Sequence, residues 1–188
     1  MFIPKLVDSY TQIRDGSEEL FFLFPVNEDQ IDTQFFELLF KHKDNSSLDK
    51  FNVALATLSF DEIANCLSST SSNNSLSLTK QSIFNSPVVV EILECEYLKK
   101  FNYATMTLVF EQFIDALLQN KSPVDLMYSE NEDNSRYFKW TNIFSSLESR
   151  REFVESWQVL EISKEIQALL LEQSICQKSA LYRRYKVL

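Results

Sequence analysis

The chain has 188 residues, 45% of them hydrophobic and 24% charged, with 27 acidic against 18 basic side chains and a formal net charge of −9. This is the balance of a globular chain able to bury one sizeable core, and not of a disordered one. Its single glycine, Gly16, excludes the glycine-rich loops that cradle nucleotide phosphates and the G-x-S-x-G nucleophile elbow, since neither can be written with one glycine.

Asp15-Gly16 suits a type I′ turn, where both central residues need positive φ. It separates residues 6–14, with β-branched and aromatic side chains, from the almost wholly apolar 20–26. An N-terminal β-hairpin is expected there, ended by Pro25. A helix follows by expectation: Asn27 or Asp29 caps it, Ile31, Phe35, Leu38 and Leu39 fall at helical spacing, and Lys41, His42 and Lys43 close it. Residues 50–60 alternate Phe51, Val53, Leu55 and Thr57 and predict a strand, and Ser59 to Glu62 has the form of a capping box ahead of a short helix. The run SSTSSNNSLSLTKQ (68–81) then reads as a surface loop, flexible at about 68–75, within one domain spanning 1–188. Leu76 and Leu78 predict a short edge strand on re-entry, and the hydroxyls of the run are candidate phosphorylation sites.

Beyond the loop, the valines of 88–96 predict a strand, against the helical start that Pro87 would favour. Residues 103–120 predict a helix with Met106, Phe110, Phe113 and Leu117 on one stripe, widened by Leu108 and Ile114. Residues 121–128 read as a capped helical turn and 129–135 as an acidic loop. The last fifty residues read as mainly helical, because Val159, Ile162, Ile166, Leu169, Cys176 and Ala180 recur at spacings of three and four. A strand over 156–163 is the local alternative. No internal repeat is visible. The fold class expected is α+β: a single mixed domain with an N-terminal β-hairpin and a mainly helical C-terminal half, with a mainly α fold as the alternative.

For chemistry the residues offer little. His42, the one histidine, stands between two lysines, and Cys66, Cys95 and Cys176 are far apart with no C-x-x-C pair. These cysteines read as reduced thiols, so no catalytic residue, cofactor or metal is expected. Glu130, Glu132 and Asp133 read as a solvated acidic tip. The longest apolar run has seven residues, far too few to span a bilayer, so no membrane association is expected.

Positive character concentrates at the end of the chain in Lys178, Arg183, Arg184 and Lys186, with Tyr182 and Tyr185 available to stack. Trp, Tyr and Arg are what interface hot spots are made of. Trp140, Trp157, Leu170, Leu171, Ile175, Tyr182, Arg183, Arg184 and Tyr185 are therefore the candidate partner-binding residues. The function expected from these signs is a non-catalytic subunit or adaptor of an intracellular eukaryotic multiprotein complex, nuclear or cytoplasmic. Its partners would be other protein subunits, with no small-molecule substrate. A chromosome- or DNA-repair-type factor binding nucleic acid through the four cations is the alternative, and a carboxylate-based enzyme the second.

Overall fold

A computed structural model describes residues 8, 11, 19–27, 30–31, 36–41, 45–56, 73–76, 86–131 and 136–187. The first half carries β1 (Glu19–Asn27), β2 (Gln30–Ile31), β3 (Glu37–Lys41), α1 (Asn45–Ala56) and β4 (Asn73–Leu76). The second carries β5 (Val88–Tyr97), α2 (Tyr103–Gln119), β6 (Asp125–Asn131), β7 (Tyr137–Phe144), α3 (Leu147–Val159), α4 (Glu161–Gln173) and β8 (Ser174–Lys186). All strands join one antiparallel sheet in the order β2-β1-β8-β5-β7-β6-β4, with β3 also on β1.

Strands β5 to β8 and their helices run β-α-β-β-α-α-β, with α3 and α4 together in the place of one crossover helix and sheet order β8-β5-β7-β6. That is the split-βαβ, ferredoxin-like arrangement. The first half echoes its latter part: β1 and β3 pair antiparallel, α1 follows, and β4 crosses to flank β6 just as β8 crosses to flank β1. The repeat that the sequence hides is thus a repeat of topology.

The helices are set by their ends. Asn102 caps α2, accepting from Ala104 N at 3.0 Å and Thr105 N at 3.3 Å, while Thr105 Oγ1 accepts from Asn102 N at 3.1 Å. Ser146 and Ser149 form the same reciprocal box at the start of α3. Helix α2 closes with Lys121 in the left-handed region (φ 50°), where Ser122 N donates to Leu117 O at 2.9 Å and Lys121 N to Leu118 O at 3.1 Å. No glycine was available for that position.

Three helices cover one face of the sheet. There Val89, Cys95, Tyr97, Leu126, Tyr128, Phe138 and Phe144 pack against Phe110 and Phe113 of α2, Phe153 and Trp157 of α3, and Ile166 of α4. The opposite face gathers Phe21, Leu23, Val88, Val90, Ile143 and Tyr182. In the first half, Leu20 and Phe22 pack with Phe51 of α1, and the Phe40 and Phe51 rings stack 4.1 Å apart.

The architecture corrects the expected fold class. It is a mixed α/β fold dominated by an antiparallel sheet that runs through both halves, and neither an N-terminal hairpin with a helical C-terminal half nor a mainly α fold. The strand expected at 20–26 forms as β1, but its partners are β3 and β8. Of the other hairpin arm only Asp8 and Thr11 are described, both helical. The helix expected after it gives way to β2 and β3, where Phe36, Leu38 and Phe40 are half-buried and Glu37, Leu39 and Lys41 exposed. The strand expected at 50–60 is largely α1, whose Phe51 is buried and Val53 exposed. The short helix after it and residues 68–72 lie outside the described residues.

Residues 88–96 and 103–120 form the expected strand and helix, although Leu108 is 60% exposed. The expected helical turn at 121–128 yields instead to β6 from Asp125 onward. The long C-terminal helix breaks twice: at Leu160, which is extended (φ −73°, ψ 132°), and at Ser174, where β8 begins. A spacing of four, as from Cys176 to Ala180, fits a strand of period two as well as a helix, and β8 pairs on both sides, with β1 and β5. Cys95 and Cys176 are opposite one another across β5 and β8 and form a disulfide, correcting the expectation of reduced thiols. Among the described residues no helix is long and apolar enough to cross a membrane.

Candidate functional site

Alternation on three neighbouring strands aims one set of side chains at the helices: Glu91, Leu93, Cys95 and Tyr97 of β5, Leu126, Tyr128 and Glu130 of β6, and Phe138, Trp140, Asn142 and Phe144 of β7. Register then sets Trp140 opposite both Leu93 and Tyr128, and Asn142 opposite Glu91 and Leu126. The rings form a continuous lane under α2. Tyr103 stacks on Tyr128 at 5.2 Å and Tyr128 on Phe110 at 4.6 Å. Phe110 then meets Trp140 edge-on at 5.3 Å, Trp140 meets Phe113 at 5.6 Å, and Phe113 meets Trp157 at 4.8 Å.

Polar groups stand at two places along this lane. On one side the hydroxyls of Tyr97 and Tyr128 share a buried hydrogen bond. Burial pushes both phenols well above the usual tyrosine range. Burial also raises the Glu130 carboxyl beside them, against the lowering effect of a hydrogen bond from Tyr97. These groups can hold or pass a proton, and they can donate to a ligand oxygen.

On the other side runs a network of fixed polarity. Trp140 Nε1 donates to Asn142 Oδ1 at 2.7 Å, Asn142 Nδ2 donates to Glu91 Oε2 at 3.1 Å, and Arg150 Nη2 of α3 donates to Glu91 Oε1 at 2.5 Å. Asn142 is buried, and Arg150 Nε is buried with no hydrogen-bond partner among the described residues. Arg150, with its side chain 32% exposed, and the half-buried Glu130 mark where the lane meets solvent. A depression of about 520 Å³ along α1, lined by Ser46, Asp49, Lys50 and Val53, contains none of these groups.

The residues singled out from sequence are dispersed. Trp140 and Trp157 lie in the lane, and Leu170 is half-buried against the same core. Leu171 and Ile175 are exposed, at the end of α4 and the start of β8. Tyr182, Arg183, Arg184 and Tyr185 lie within β8 between β1 and β5, so no basic tail projects. Tyr182 donates to Glu37 Oε1 at 2.6 Å, Tyr185 meets Phe24 edge-on at 5.7 Å, and Arg184 lies over the Phe21 ring. Lys178 pairs with Glu94, and Lys186 with Glu19. A nucleic-acid-binding arm is therefore not what these cations build.

Sequence reasoning missed Glu91, Asn142, Arg150, Tyr97 and Tyr128. For Glu91, Asn142, Tyr97 and Tyr128 the signal was a polar or phenolic residue on the buried phase of a strand, visible only once the strand is assigned, whereas Arg150 lies on α3 and carried no such signal.

No protein family and no curated protein matches the sequence. Among solved structures the chain resembles a "putative monooxygenase" from Fusobacterium nucleatum subsp. nucleatum ATCC 25586, with a TM-score of 0.61 and 7% identity over 99% of this chain and 83% of that one. It also resembles a "putative monooxygenase" from Lactobacillus acidophilus NCFM, with a TM-score of 0.58 and 8% identity over 98% of this chain and 87% of that one. At such identity the likeness is one of fold. Sharing that fold with bacterial proteins of this name overturns the expected eukaryotic adaptor or nucleic-acid factor, the exclusion of catalysis and the exclusion of a small-molecule substrate.

Proposed function

We propose that the chain binds a small organic molecule at the end of the lane where Arg150 meets solvent, against α3 and the strands β5 and β7, and that it is an enzyme of the oxygenase kind for which its fold neighbours are named. The observation that carries this reading is the Trp140–Asn142–Glu91–Arg150 network beneath the helices. Apolar residues of similar volume would serve stability there as well or better, because desolvating an ion pair costs about as much as the pairing returns. A run of rings flanked by such oriented groups suits a planar aromatic molecule bearing a hydroxyl or carbonyl group.

A Trp157→Phe variant leaves Trp140 as the sole indole and makes its fluorescence a reporter of the lane. Titration with 1-naphthol and 1,4-dihydroxynaphthalene, with thermal shift of the unmodified chain alongside, is expected to give saturable quenching and a raised Tm. Enzyme-dependent oxygen uptake, read on an oxygen electrode, is expected with at least the dihydroxy compound. Absence of binding by both methods sinks the site, whereas binding without oxygen uptake leaves a binding protein and removes the enzyme. An intracellular location belongs to the same proposal. The Cys95–Cys176 bond weighs against that location, because cytosolic thiols are ordinarily kept reduced.

A further inference from the structure

On the opposite face of the sheet, three strands converge on one ring. Register sets Lys41 of β3 opposite Glu19, Lys186 of β8 opposite Phe21, and Arg184 opposite Leu23. Alternation then turns Lys41, Arg184, Lys186, Glu19 and Phe21 to the same side. Arg184 Cζ lies 4.9 Å from the centroid of the buried Phe21 ring, Lys41 Nζ 5.4 Å and Lys186 Nζ 6.0 Å. All three are within cation–π reach.

The carboxylates of this face are already engaged. Glu19 contacts Lys186 and lies 3.4 Å from Lys41. Burial would raise its pKa, but the hydrogen bond from Lys186 and the charge of Lys41 outweigh that and hold it below the usual range. Glu37 accepts from the Tyr182 hydroxyl, and Glu94, further along, pairs with Lys178.

Arg184 differs from its neighbours. It is half-buried between β1 and β5, opposite Leu23 and Val88, and it makes no ion pair or hydrogen bond from its side chain among the described residues. Burial lowers its pKa, and the more distant Glu19 only partly offsets this. A guanidinium offers five donors in a fork shaped for an oxyanion. Glu19 balances only one of the three positive charges gathered over the ring, and the excess favours an incoming anion.

We propose that Lys41, Arg184 and Lys186, gathered around Phe21, form a binding site for the oxyanion group of a small molecule, a phosphate or a carboxylate. Arg184 supplies the two-pronged contact, the lysines supply the field, and Glu19 keeps the lysines in place. The site lies on the face opposite the aromatic lane and stands whether or not the lane binds a ligand.

The test is thermal shift and isothermal titration of the full chain with inorganic phosphate and with acetate, each against chloride at matched ionic strength. A saturable response to phosphate, or to acetate, beyond that of chloride is expected, and whichever anion gives it names the source. Arg184→Gln is expected to weaken that binding at least tenfold, and Lys186→Gln by a smaller factor. Should Arg184→Gln not fold, Arg184→Lys, which keeps the charge and loses the fork, and the paired exposed changes Lys41→Gln and Lys186→Gln carry the same expectation of weakened binding. Equal responses to all three anions, or variants that bind as the parent does, overturn the proposal.

Discussion

Glu91→Gln alters a single atom of the polar network, and the hydrogen bonds around it leave no way to absorb the change. The indole N–H of Trp140 can only donate, so Asn142 must present Oδ1 to it and its amide nitrogen to Glu91. Arg150 donates to the other Glu91 oxygen at 2.5 Å. Glutamine has one oxygen and one NH2 group, so in either orientation a donor faces a donor, and the guanidinium loses its counter-charge.

A fully buried pair broken on one side costs roughly 3–5 kcal/mol. Here the side chains are 16% and 32% exposed, and solvent screens part of the penalty, so the expected cost is about 2 kcal/mol. For a chain of this length that lowers Tm by about 4–8 °C. Urea unfolding should show a lower midpoint at unchanged slope, and a double-mutant cycle with Arg150→Met should return a coupling of at least about 1 kcal/mol. A Glu91→Gln unfolding free energy within about 0.5 kcal/mol of the parent's would falsify the fixed-polarity argument.

The end of α2 gives a test of opposite sign: Lys121→Gly should stabilise by about 1 kcal/mol, since Lys121 holds φ 50° where a side chain costs energy, and an unchanged or lower unfolding midpoint would count against it. Tyr97, Tyr128 and Tyr182 are all raised by burial. Above about pH 10 the unfolded chain therefore releases protons that the folded one keeps, and stability falls as pH rises. Phenolate absorbance should accordingly show these three ionising only as the fold is lost; early, reversible ionisation of all seven tyrosines would refute this. Glu130 is likewise raised, so its contribution is present below the unfolded value of about 4.3 and is lost as pH rises through the folded one. Glu130→Gln should then raise Tm at neutral pH, with the gain gone below about pH 4; a gain that does not vary with pH would refute it. A thiol assay on the denatured chain should count one free cysteine before reduction and three after it, and Cys176→Ser, which opens a cross-link spanning 81 residues of sequence, should cost up to about 4 kcal/mol.

Legibility in the sequence followed how far each segment depends on its own neighbours. Helix α2 was readable because Met106, Phe110, Phe113 and Leu117 repeat at a spacing only a helix satisfies, and all four are buried. Strands β1 and β5 were readable because bulky and β-branched residues crowd a short run. The candidate site was not readable. Glu91 and Asn142 are 51 residues apart and became neighbours only when β5 paired with β7.

By itself the sequence determined a globular chain, the absence of glycine-built phosphate loops, and those few elements whose periodicity is unambiguous. The tertiary structure decided the rest. Segments such as 37–41 and 174–186 carry spacings open to both helix and strand, and the choice fell to strand because neighbouring strands satisfy their backbone groups. The same pairing took the cations Arg184 and Lys186 out of a supposed tail and set them, with Lys41, around a single phenylalanine. Charge position along a chain says little about charge position in space, because the sheet register joins residues without regard to their distance in sequence.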